Sequence, residues 1–179
     1  MGIFKIIRNT DDGLQYMHNA LNYVIGTHTE YDRRYSPNVD IYNACEQFLL
    51  VKKYFGKTSG NPVFHFIVVY DAKSTWGNNY ERVKSMSHSI ASYFADRYQI
   101  VYGIHNKPCY NKYGKCTSLY HAHFIMNSVS YIDGKMFSGN HSEIYAFLNY
   151  IERVTGDKSW KIKYGSGNEK TSEGLTASM

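Results

Sequence analysis

A chain of 179 residues is long enough for one domain with a real core and too short for two comfortable ones. Its 43% apolar and 20% charged residues are those of an ordinary globular protein, and the longest apolar run, around Val63 to Tyr70, is far too short to span a bilayer. The net charge of +5 is a moderate excess, and three cysteines (Cys45, Cys109, Cys116) form an odd set without the spacing of a disulfide framework. With no apolar core of the signal-peptide kind at the N-terminus, the expectation is a cytoplasmic protein without membrane insertion.

In chain order, residues 3–8 alternate weakly and read as a strand. Asn9 or Thr10 is placed to cap a first helix, on which Leu14, Met17, Leu21 and Val24 recur at helical spacing. Tyr23 falls off that apolar stripe, near the helix end and just before Gly26. Asp40 opens a second helix carrying Ile41, Ala44, Phe48 and Leu49, closed by Gly56. Then follow a strand over 63–71, a helix over 80–97 with Val83, Met86, Ile90 and Phe94 inward, and strands over 98–105 and 120–129. A helix over 142–154, stopped by Gly156, and a strand over 160–164 complete the pattern. The order from residue 63 is β-α-β-β-α-β, which predicts an α+β, ferredoxin-like (RRM-like) antiparallel sheet with helices on one face, the 120–129 strand lying centrally. The N-terminal helix is then an extension of that unit. The domain is expected to cover 1–164, and the Gly/Ser/Thr/Glu-rich segment 165–179 reads as a flexible tail or a boundary within a longer protein.

Tyrosine is the compositional outlier, at 18 residues beside 9 Phe and 2 Trp; most pack at strand faces and helix flanks, while a minority can offer flat faces to unstacked bases. Basic residues are interleaved with aromatics: Arg33 and Arg34 with Tyr31 and Tyr35, Lys52, Lys53 and Lys57 with Tyr54 and Phe55, and Lys107, Lys112 and Lys115 with Tyr110 and Tyr113. Lys158, Lys161 and Lys163 alternate likewise with Trp160 and Tyr164. Such interleaving suits a single-stranded nucleic acid better than a rigid duplex, the bland alternative being a solvated surface.

His121 and His123 are two apart on one strand and leave the same face. His105 ends the preceding strand, so antiparallel pairing sets it beside Tyr120 and His121, within reach of one cation. Three neutral imidazoles leave coordination positions open, as a catalytic ion requires. His65 is the rival third ligand, but it sits at the start of a strand parallel to the one that His105 ends, on the order of 10–15 Å along the sheet at ~3.3 Å per residue. It reads as a structural histidine or as one behind the ligands. His28, His88 and His141 read as solvated.

The segment YHAHFIMNSVSYIDGKMF, 120–137, resembles the His-x-His block of relaxases, the mobilisation nucleases of conjugative plasmids and integrative elements within the HUH endonuclease class. ALNYVIG at 20–26 resembles the family's first motif, FGKTSGNPVFHFIV at 55–68 the block leading to its first core strand, and YQIVYGIH at 98–105 the strand that supplies its first metal histidine. The resemblance covers roughly residues 14–155. It implies a bacterial, site- and strand-specific nickase that rejoins what it cuts, with Tyr23 as the nucleophile forming a 5′-phosphotyrosyl intermediate. It also implies His105, His121 and His123 as metal ligands, and Mn²⁺ or Mg²⁺ as the ion, although three imidazoles alone suit Zn²⁺ at least as well. Single-stranded DNA at a transfer origin is the implied partner, with accessory mobilisation and coupling proteins beside it. Arg33, Arg34, Lys57, Asn127 and Lys135 are the candidate DNA contacts; Asn127 and the 133–135 turn read as hairpin structure first.

Some features depart from the family pattern. The 106–119 loop is longer than usual and carries Cys109 and Cys116; Asn106 and Lys107 replace the acidic residue that often follows the first histidine; and VVYDAKSTW fits a DNA-contacting turn poorly. Tyr16, Tyr31 and Tyr35 are fallback nucleophiles. A rolling-circle replication initiator shares the same chemistry, although many of those place the tyrosine after the histidines. A non-catalytic single-stranded nucleic-acid-binding sheet and a zinc hydrolase unrelated to nucleic acid are the readings from other classes.

Overall fold

The computed structural model describes residues 2–8, 13–26, 29–30, 33–74 and 77–166. The caps expected at Asn9 or Thr10, His28, Tyr31 and the tail from 167 onward lie outside these residues. Ten elements follow in order: β1 (Ile3–Arg8), α1 (Gly13–Ile25), β2 (Arg34–Tyr35), α2 (Ala44–Tyr54), β3 (Val63–Val69), α3 (Tyr80–Ala95), β4 (Ile100–Tyr110), β5 (Cys116–Asn127), α4 (His141–Thr155) and β6 (Lys161–Ser166).

Local chemistry explains the helix ends. The Asn79 side chain accepts from the Arg82 amide to start α3. Asn140 and Glu143 form a reciprocal capping box at the start of α4, which Gly156 ends in the left-handed conformation, φ 65°. The second helix begins later than its apolar residues suggest: Asp40 accepts from the Tyr42 amide and the Asn43 side chain in a turn, and regular helix starts only at Ala44.

The six strands form one sheet in the order β2-β4-β5-β3-β1-β6. As expected, β5 lies between β4 and β3, antiparallel to both. The ferredoxin-like expectation needs a correction at its edge. Strand β1 is inserted between β3 and β6, pairing antiparallel with the former (Ile3 opposite Val69) and parallel with the latter (Ile3 opposite Lys161). With Phe4 and Ile6 buried, β1 is itself a core strand.

Helices cover both faces of the sheet, not one. Beneath α3 and α4 lies the larger core, holding Phe66, Tyr102, Phe124, Ile90, Phe94 and Phe147. On the opposite face Met17, Ala20, Leu21 and Val24 of α1 and Ala44 and Phe48 of α2 bury Val63, Val101 and Ile125. The apolar stripes of α1 and α2 require a bed, and the inner halves of β3, β4 and β5 provide it.

The expected 106–119 loop is largely strand. Strands β4 and β5 continue as a two-stranded arm to a turn over 111–115, where the Asn111 side-chain oxygen accepts from the amides of Tyr113 and Lys115 and Gly114 takes φ 70°. Among the described residues no helix is long and apolar enough to cross a membrane.

Candidate metal and nucleophile site

Pairing of β4 with β5 sets His105 opposite His121 and Gly103 opposite His123. Residues 101, 103 and 105 therefore share a face with 121, 123 and 125. Along that face Val101 and Ile125 lie under α1, and the histidines follow where the apolar bed ends. One ligand nitrogen from each of His105, His121 and His123 lies within 4.8 Å of the others, and no other described residue joins the group. His123 is buried, at 5% exposure, and the other two are half-buried.

Burial, with smaller contributions from His105 and Lys107, lowers the His121 pKa to about 4. Burial, then the neighbouring histidines and Lys5, holds that of His123 well below the usual value. Both rings are thus neutral at pH 7, with a lone pair to offer. The Nδ1 of His121 is buried without a hydrogen-bond partner. An orphaned buried nitrogen is costly, and a divalent ion among three imidazoles would satisfy it, so the donor set fits such an ion.

Helix α1 carries Tyr23 to this cluster. Its ring stands edge-on to His123 and His105, with centroids 5.1 and 5.4 Å away. The approach depends on Gly103: a Cβ there would lie 2.2 Å from the carbonyl oxygen of Val24 and 3.2 Å from the Thr29 side chain. Burial raises the pKa of the Tyr23 phenol, so the hydroxyl is protonated when a substrate arrives.

Four supporting residues stand behind the cluster. Thr29 is 2% exposed; its Oγ1 lies 2.6 Å from Nε2 of His105 and donates to the Tyr23 carbonyl at 3.4 Å. The Arg34 guanidinium donates from Nε to the Thr29 carbonyl at 2.8 Å, tying Arg34 to the site. His65 lies opposite Ile125, which in turn lies opposite Val101, four residues from His105, so it stays outside the ligand group as expected. Its Nε2 is nevertheless 3.3 Å from Nδ1 of His123, and its Nδ1 is 2.7 Å from the Tyr16 hydroxyl. Nothing in the sequence marks Thr29. Tyr16 carries a readable signal, since it precedes Tyr23 by two helical turns and shares its face.

The other candidates are scattered. Arg33 pairs with Glu30 at 3.2 Å and lies over the Tyr80 ring. Tyr35 stacks on Tyr102, on the face away from the histidines, which separates this fallback nucleophile from the cluster. Asn127 is fully buried; its amide donates to the Phe48 carbonyl and the Gln99 side chain and accepts from the Val129 amide. Its amide is thus engaged and excluded from solvent. Asn127 is six residues along β5 from His121, roughly 20 Å. Lys57 follows α2 near that distal end, and Lys135 extends into solvent 3.8 Å from Asp133, beyond the same end of β5. Neither joins the cluster. Lys107 does approach it, on the arm beside His121.

The family model described as relaxase, MobA/VirD2-like, nuclease domain, matches residues 16–160, a segment that includes Tyr16, Tyr23 and all three clustered histidines. No curated protein and no solved structure matches the chain significantly.

Proposed function

Because the chain belongs to the MobA/VirD2-like relaxase nuclease family, we propose that it nicks and rejoins one DNA strand at a transfer origin with Tyr23 as nucleophile and His105, His121 and His123 as the metal ligands. The observation that carries this reading is the Tyr23 ring lying edge-on to two of the three clustered histidines. Attack by the phenolic oxygen forms an Oη–P bond and breaks the P–O3′ bond. The 5′ phosphate remains on tyrosine, and the proton lost from the phenol is balanced by the one the 3′ oxygen takes up. Reversal by a 3′ hydroxyl reseals the strand, so bond energy is conserved and no nucleotide cofactor is needed.

A divalent ion, Mn²⁺ or Mg²⁺ by family and Zn²⁺ by donor type, would supply positive charge against the non-bridging oxygens. The chain's own residues do the rest. Gly103 lets α1 come close, Thr29 links the Tyr23 backbone to the His105 ring, and the α1–sheet core holds nucleophile and ligands in one frame. Gly103 and Thr29 come from positions no pattern in the histidine block reveals.

DNA outside the scissile phosphate is proposed to track Arg34, Lys107 and the β4–β5 arm, with Arg33 alongside and Lys57 and Lys135 at the distal end of the sheet. On the arm Lys112 and Lys115 alternate with exposed Tyr110 and Tyr113, and no acidic residue occurs from 106 to 132. Lysines beside flat rings suit single-stranded DNA, whose affinity should fall steeply with salt.

The test is a single-stranded oligonucleotide spanning the cognate origin, incubated with Mn²⁺ and then denatured. A covalent adduct is expected on Tyr23, absent from Tyr23→Phe and present in Tyr16→Phe. Cleavage without adduct would make the protein a water-using nuclease. Binding without cleavage at any metal concentration would make it a binding module.

A further inference from the structure

Among the described residues, the histidine nearest the ligand group has a place in the fold that the nicking reaction does not by itself assign. His65 is 8% exposed and stands between the ring of His123 and the hydroxyl of Tyr16, with bonds of 3.3 and 2.7 Å at its two nitrogens. Both ring nitrogens of His65 are therefore used, and the Nδ1 of His123 is used as well. That leaves Nε2 as the only His123 nitrogen able to face an ion.

We infer that Tyr16 and His65 are positioning residues that fix the ring and tautomer of His123 so that its Nε2 lone pair is presented to the ion; the inference rests on the metal-site reading above. The proton logic has one solution. If Nε2 of His123 is to donate electrons, its proton must reside on Nδ1, and that N–H then donates to Nε2 of His65. His65, accepting at Nε2 and neutral, carries its proton on Nδ1 and donates to the Tyr16 oxygen. The opposite orientation, with Tyr16 donating to His65 and His65 donating to His123, puts a proton on Nε2 of His123 and closes the ligand position. The two orientations hold the same number of protons, so the choice between them needs no change in charge.

Ligand histidines commonly donate their second N–H to a carboxylate, a carbonyl or water, and loss of such a partner costs about 10–100-fold in metal affinity. Here the acceptor is an imidazole in the core of the sheet, seated by β3 and reached from α1. The same helix that brings Tyr23 to the phosphate thus brings Tyr16, two turns earlier, to the back of the ligand set. Nucleophile and ligand orientation depend on one rigid element.

The experiment uses the whole chain, ¹⁵N-labelled at histidine and loaded with Zn²⁺ as a diamagnetic probe. Expected are slowly exchanging protons on Nδ1 of both His65 and His123, with Tyr16→Phe shifting the His65 signal. A proton on Nε2 of either ring overturns the inference. In parallel, His65→Leu and His65→Gln are titrated with Mn²⁺ and Zn²⁺, with thermal melting as the check on folding. Gln retains an oxygen near the Nε2 position and should stay within a few-fold of wild type, while Leu should bind roughly 10–100-fold more weakly and regain adduct formation at saturating metal. Equal affinities for Leu and wild type would also overturn it, and if His65→Leu fails to fold, the proton positions alone decide. A wild-type protein that binds no ion at all would instead remove the metal-site reading, and this inference with it. Wild-type metal binding with the proton of His65 on Nε2 and that of His123 on Nδ1 would leave that reading intact and reject only the role of Tyr16 and His65.

Discussion

The two faces of strand β5 belong to different cores and carry different chemistry. Toward α3 and α4 it presents Ala122, Phe124 and Met126, all fully buried, with Phe124 stacked on Phe66 at 4.6 Å and on Tyr102 at 5.3 Å. Toward α1 it presents His121, His123 and Ile125, two of them polar and one with a buried nitrogen lacking a partner. The alternation of a strand separates these tasks residue by residue. One face supplies apolar burial, and that surplus lets the other hold neutral imidazoles in positions that folding alone would disfavour.

The largest expected effect that would break this division is on chemistry. Replacing His121 and His123 together with Ala should abolish stoichiometric metal binding and nicking while the chain still melts cooperatively, the removal of the unpaired His121 nitrogen offsetting part of the cost of leaving Nε2 of His65 without its partner. Metal content and nicking that both survive would place the site elsewhere. The complementary change is Phe124→Ala on the opposite face. It should cost about 3–5 kcal/mol in denaturant unfolding through the cavity it leaves, with one ion still bound under native conditions. A loss of metal affinity in proportion to stability would show that the faces are not separable.

A smaller effect, on geometry, comes from Gly103→Ala. The added methyl would press on the Val24 carbonyl and push α1 outward. Adduct formation should fall about 100-fold, the scale of an ångström's misplacement, while ion binding persists. An unchanged single-turnover rate would mean that Tyr23 is not positioned by that close approach.

A further effect is graded with pH. Burial holds His121 at about 4 and, with a lesser contribution from Lys5, His65 at about 3, against the usual 6.5. As pH falls below about 6.5 the unfolded chain takes up protons that the folded chain refuses. Stability is therefore fully present above that value and lost progressively toward pH 4, by up to about 1.4 kcal/mol per pH unit for each such histidine. Urea midpoints measured from pH 7.5 down to 5 should show this decline, and the His121→Ala/His123→Ala protein should show a shallower one. Parallel profiles for the two proteins would argue that these rings are protonated in the folded state.

The sequence exposes the histidine cluster because a strand's period is fixed: His-x-His must share a face, and a hairpin must return His105 toward them. Tyr23 is different. Its place above the histidines depends on the path of α1 across β4, which Gly103 permits and no local pattern encodes; only the motif resemblance points to it. The 106–119 segment reads as loop because Pro108 and Gly114 interrupt it. In the structure Pro108 lies within a shift of register between Asn106 and Cys109, where the regular ladder is broken. Two-residue β2 is too short to leave a period, and the insertion of β1 is a choice of partner rather than of conformation.

Strand β1 also governs when the sheet can be finished. It pairs with β3 through Ile3 and Val69, but its other edge is filled only by β6, through Ile3 and Lys161. Contacts so distant along the chain are slow to form. During synthesis β3, β4 and β5, with their histidines and α1, are all made before β6 exists. The histidine-bearing half of the sheet can thus assemble while β1 still has an unpaired edge, a window in which a second nascent chain or a chaperone is the natural competitor for that strand.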